Sequence, residues 1–113
     1  MAQRITRNNA SEIHLVSDAT GYLNLNGGTY PANAAGETLE SLSIREIFWS
    51  VSSTNTWTVS RGGNTIGVFT GSGNHDYQGS GFALSTGGDE QANVVFALSG
   101  GAGTIMIKLG KQQ

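Results

Sequence analysis

The amino-acid sequence predicts an all-β protein, an antiparallel β-sandwich or jelly roll of about eight short strands. Three observations lead there. Apolar residues recur at every second position in short runs, the period of a strand with one buried and one wet face. The 17 glycines, with many Ser, Thr and Asn, stand mostly between those runs, where turns are needed. No segment carries a convincing helical period, and one sheet alone would leave an apolar face in water, so two sheets must pack together.

Residues 1–11 read as a flexible, polar N-terminal arm, with residues 12–113 as a single sandwich domain. The arm holds Arg4 and Arg7, two of the six basic residues, and Ile5 as its apolar anchor. "EIHLV" and "YLNL" are short strands separated by Ser17-Asp18-Ala19-Thr20-Gly21. "YPANAAGE", with the only proline, reads as an exposed connection. Leu42 and Ile44 alternate in the opposite parity from Ile47 and Trp49, so a continuous strand would flip its core face. That predicts a bulge near Arg45-Glu46. Ser43-Ile44-Arg45-Glu46 also fits a helix capping box, but the downstream alternation favours a strand.

"IFWSVSSTNTWTVSRGGNTIGVF" reads as a three-stranded meander turning at Gly62-Gly63-Asn64, and "FAL" as a further strand. In "ANVVFALSGGAGTIMIKLGK", Val94, Phe96 and Leu98 share one face, and Ile105, Ile107 and Leu109 another. Gly100-Gly101-Ala102-Gly103 between them predicts a hairpin. The triplets at Gly71–Gly73 and Gly79–Gly81 are too short to be a repeat.

A chain of 113 residues is one domain and large enough to hold a core without staples. It has no cysteine, hence no disulfide and no thiolate metal site. Its formal charge of −2 gives no general affinity for nucleic acid or acidic membrane. Two arginines in the arm release too few counterions to hold nucleic acid. The first residues hold no long apolar stretch, so no secretory signal or membrane span is expected. Asn9-Ala10-Ser11 matches a glycosylation sequon, but without a visible export signal no glycosylation is expected there. Only 12% of residues are charged, and a surface so poor in Lys and Glu is weakly protected against association.

No catalytic motif is present, and no cofactor or metal is expected. "GNHDYQG" gathers His75, Asp76 and Tyr77, but a metal site would need His14 to converge on them from elsewhere. Glu37, Glu40 and Glu46 share one segment, and glycoside hydrolysis would need two carboxyl groups facing one cleft; Asp89-Glu90 read as a solvated turn. Trp49, Trp57, Tyr22, Tyr30 and Tyr77 admit a glycan-stacking platform as the alternative; both tryptophans lie in alternating strands, which favours the core.

From Leu42 to Lys111, "SLSIREIFWSVSSTNTWTVSRGGNTIGVFTGSG", "FAL" and "ANVVFALSGGAGTIMIKLGK" resemble small structural proteins of tailed bacteriophages. The resemblance implies a non-enzymatic virion protein, assembled in the host cytoplasm: a capsid decoration or cement protein binding the major capsid protein as a homotrimer, or else a tail or head-tail component. Arg61, in "SRGGN", matches the family's most distinctive polar position and is expected in a structural or interface role. The arm residues Arg4, Ile5 and Arg7 are expected to reach a neighbouring subunit, the arginines pairing with carboxylates or carbonyls.

Overall fold

The computed structural model describes residues 3–9, 11–28, 31–33, 36–39, 41–52, 54–61, 64–76 and 93–112. Among these there is no helix, and nine strands run in order: β1 (Gln3–Asn8), β2 (Glu12–Ser17), β3 (Gly21–Leu23), β4 (Ser41–Val51), β5 (Trp57–Arg61), β6 (Asn64–Phe69), β7 (Ser72–Asp76), β8 (Val94–Leu98) and β9 (Gly103–Gln112). They form two antiparallel sheets packed as a sandwich, one ordered β1-β2-β9-β4-β7 and the other β3-β8-β5-β6.

The order has a simple logic. β5 pairs with β6, β4 with β7, β3 with β8, and β2 with β9, all antiparallel. Strands β2 to β9 are therefore one long hairpin folded about the β5–β6 turn. The ribbon is rolled so that β4 also meets β9 and β5 also meets β8. Rolling sends successive arms into different sheets, which corrects two sequence expectations. β8 and β9 do not pair as a hairpin; they face each other across the core. The expected meander is only the β5–β6 pair, because β4 belongs to the other sheet.

Period-two burial places the core. β2 turns Ile13, Leu15 and Ser17 inward, β5 turns Trp57, Val59 and Arg61, and β8 turns Val94 and Phe96. Ile105, Ile107 and Leu109 of β9 and Leu42, Ile44 and Ile47 of β4 complete the opposite wall. Fully burying side chains of this size stabilises by roughly 1.5–3 kcal/mol each. The parity change on β4 is met by a register shift between Ile44 and Glu46, so the expected bulge is present and both halves of the strand face the core.

Two polar tips tie the sheets together. Trp57 is fully buried and its Nε1 donates to Ser50 O across the sandwich at 3.1 Å, while Arg61, also fully buried, donates from Nη1 to Leu42 O. Both bonds run from β5 to β4. Gly103 makes room for the first: a Cβ there would lie 2.7 Å from Ser50 O and 3.0 Å from Trp57 Nε1.

The expected flexible arm is, over Gln3–Asn8, the edge strand β1, paired with β2 through a register shift at Thr6. Asn9 closes the hairpin, its Oδ1 accepting from Ser11 N and Glu12 N at 2.9 and 3.0 Å. Gln3 fixes the start of the strand: Nε2 donates to Tyr22 O at 2.6 Å and Oε1 accepts from Tyr22 N at 3.1 Å. Its side-chain amide thus occupies the otherwise open edge of β3. Asn26 does the same for the backbone of Leu39. The "YPANAAGE" connection is not wholly exposed, since Ala32 is buried and its N–H donates to Asn24 O at 2.9 Å. "FAL", Gly62-Gly63 and Gly79–Gly81 lie outside the described residues.

Candidate functional site

A sandwich offers two outer faces, and here they differ in kind. On the five-stranded sheet, register aligns Arg4, Val16, Met106, Phe48 and Asn74 in one row, and Arg7, His14, Lys108 and Glu46 in the next. Glu12 is the hub of this face: its carboxylate lies 3.0 Å from Arg7 Nε and 3.6 Å from Arg45 Nη1. His14 Nε2 lies 3.4 Å from Glu12 Oε2, without hydrogen-bond geometry. Arg45 reaches Glu12 by crossing β9 at Gly110, where any Cβ would overlap its guanidinium. Glu46 accepts from Asn74 Nδ2 at 3.1 Å and lies 3.9 Å from Lys108 Nζ, which also sits 5.1 Å above the Phe48 ring. Partly exposed pairs of this kind are each worth about 0–1 kcal/mol. These pairs of Glu12 and Glu46 all lie on this face.

On the four-stranded sheet, Tyr22, Val95, Ser60 and Thr65 form one outward row, and Ala97, Thr58 and Val68 the next. None carries a charge. The only charged residue in its four strands is Arg61, which points inward. Tyr22, Val68 and Val95, exposed by 38, 60 and 40%, are three of the four large apolar side chains exposed among the described residues; the fourth is Ile5.

Against this geometry the expected site residues separate. Arg4 and Ile5 are exposed on β1, and Arg4 has no ion pair among the described residues. Arg7 is exposed but engaged by Glu12. Arg61 does not join them. An interface role for it is corrected, because its guanidinium is enclosed and bonds to a β4 carbonyl.

His14 and His75 are not brought together: β9 and β4 separate their strands, a gap of about 14 Å at sheet spacing. His75 stands opposite Ile47, on the other face from His14. No group of three His, Cys, Asp or Glu among the described residues is placed to hold a metal ion. The aromatic residues do not form one platform either. Trp57 is core, tilted against Phe96 at 6.4 Å; Trp49 stacks on Phe69 at 4.3 Å and donates from Nε1 to Thr70 O; Tyr22 lies on the opposite sheet. Tyr30, Glu40, Tyr77, Asp89 and Glu90 lie outside the described residues.

Sequence reasoning missed the Glu12 hub and the uncharged face. The second was visible in principle, since the alternate positions of "WTVSR" and "VVFAL" that point away from the core hold only Thr, Ser, Val and Ala. The hub was not, because Glu12, Arg45 and Gly110 meet only after three strands align. Compared with protein-family models, with curated proteins and with solved structures, the chain finds no match in any of the three.

Proposed function

We propose that this chain is a non-enzymatic structural protein of a tailed-bacteriophage particle, a decoration or cement protein that binds the outer capsid surface as a homotrimer and stabilises the shell. The observation that carries the reading is the division of the surface. Most polar chemistry on one face is engaged within the fold, while the other face is an uncharged sheet with large apolar side chains in water. Such a body is suited to packing against neighbours rather than to turning over a substrate.

Two further features support it. The stretch that resembles phage structural proteins, Leu42 to Lys111, spans β4 to most of β9 and so supplies two-thirds of the sandwich. We read the nested order of β2 to β9 as a jelly roll, an architecture used by viral capsid and lectin domains; fold alone assigns no function. In this reading Arg4 and Ile5, on the open edge of β1, contact the capsid subunit, and multivalency adds three such weak contacts per trimer.

Mass spectrometry of purified particles tests the proposal. The protein is expected in many copies per particle, and particles lacking it should lose DNA at lower temperature until purified protein is added back. Its absence from washed particles would overturn the reading. Arg4→Glu is expected to weaken re-attachment about tenfold or more, by placing like charges against an acidic partner surface.

A further inference from the structure

We infer that the outer face of the four-stranded sheet, built by Tyr22, Val95, Ala97, Thr58, Ser60, Thr65 and Val68, is where two copies of this chain meet. The inference takes from the proposed function only that the chain self-associates, and it adds a twofold contact separate from the one that closes a trimer.

Symmetry supplies the argument. When two identical subunits meet about a twofold axis, the same patch serves on both, residues near the axis come close to their own copies, and any fixed charge there faces its like. Like charges across an interface cost several kcal/mol. The four-stranded face is free of this penalty, because its four strands contain no charged residue except the inward Arg61. What it offers instead is self-complementary. Val68, Val95 and Tyr22 have apolar surface to bury, and each hydroxyl of Thr58, Ser60 and Thr65 both donates and accepts. A charged partner would find no complement here. The five-stranded face is the reverse: Arg4, Arg7, Arg45 and Lys108 stand there with Glu12 and Glu46, and its own copy would meet it at a cost.

Size sets the strength. Four strands about 4.8 Å apart and about five residues long give a footprint of roughly 300 Å². Even with side-chain relief this falls short of the ~800 Å² per partner of a stable interface. Contact through this face is therefore reversible and concentration-dependent, and becomes durable when neighbouring contacts hold the copies in place.

Sedimentation of the purified full chain tests this. Wild type should gain mass with concentration across the micromolar to millimolar range. Val68→Lys with Val95→Lys should weaken self-association by about 100-fold or more, with circular dichroism and the thermal midpoint showing the sandwich intact. Met106→Lys, on the opposite face, should associate as wild type does. Because the chain has no cysteine, Val68→Cys or Val95→Cys with a short thiol cross-linker provides an independent readout that keeps the face apolar. Covalent dimers are expected from at least one of these and not from Met106→Cys.

A wild-type chain that stays monomeric, lysine variants that associate unchanged, or cross-linking only through Met106→Cys would each overturn the inference. So would lysine substitutions that lower the melting point of a monomer, because the face would then be covered by the chain itself. Copies that meet through this face but never enter a particle would remove the virion reading alone. A virion component that remains monomeric would remove this inference and the trimer, and leave the virion reading standing.

Discussion

The two sheets bury similar residues and expose different ones. Inward, both present Val, Ile, Leu and aromatic side chains, and β5 of one sheet bonds to β4 of the other through Trp57 and Arg61. Outward, the five-stranded sheet carries Arg7, His14 and Arg45 around Glu12 and Lys108 beside Glu46, whereas the four-stranded sheet carries Thr, Ser, Val, Ala and Tyr. Folding demands the inward similarity. It does not demand the outward difference, because either kind of outer face is compatible with the same core. The difference is therefore informative about what each face meets after folding. One is made self-sufficient in water by its own ion pairs, and the other leaves apolar area unshielded.

The strongest way to break the comparison is to remove the frame both faces share. Trp57→Ala deletes the largest buried side chain and the bond to Ser50 O, and is expected to cost about 3–5 kcal/mol in denaturant unfolding. Both faces should be lost together, with no variant population keeping one sheet. Next, Arg61→Met keeps most of the stem but leaves Leu42 O without that donor. A loss of roughly 1.5–3 kcal/mol is expected, with self-association of the folded protein unchanged. An unaltered stability with lost association would instead place Arg61 at an interface.

Glu12→Gln sharpens the contrast from the charged side. It releases Arg7 and Arg45 at once and should cost about 1 kcal/mol or less at low salt, with the difference shrinking as salt is added. The smallest effect on stability is expected from Val68→Lys, within about 0.5 kcal/mol of wild type, because the side chain already stands in solvent. Its effect on association should nevertheless exceed that of Arg61→Met or Glu12→Gln.

Much of this fold is legible in the sequence because burial writes itself at period two. The opposed parities of Leu42-Ile44 and Ile47-Trp49 require the bulge on β4 whatever strands it pairs with, and the residues assigned to alternate faces of β5, β8 and β9 fall as expected. Strand partnership is not legible in the same way. In a rolled hairpin the strand next in sequence commonly lies in the other sheet, so the glycine-rich turn after β8 crosses the sandwich where local reasoning expects a tight hairpin.

β1 escaped notice for another reason. An edge strand held by backbone pairing, by the Gln3 amide and by Arg7–Glu12 needs no alternating apolar pattern, and Ile5 alone does not make one. For Arg61 the sequence left a structural and an interface role open, and its burial favours the structural one. Only the fold places Leu42 O where the guanidinium can reach it. The position of "WTVSR" in a buried strand was the available clue.

Sedimentation equilibrium of the wild-type chain, carried from low salt to about 1 M salt where the Debye length is about 3 Å, tests the central claim most directly. If copies adhere through the uncharged sheet, association should hold or tighten as salt rises. Dissociation on adding salt would mean that the charged face makes the contact, and would contradict the division of labour between the two sheets.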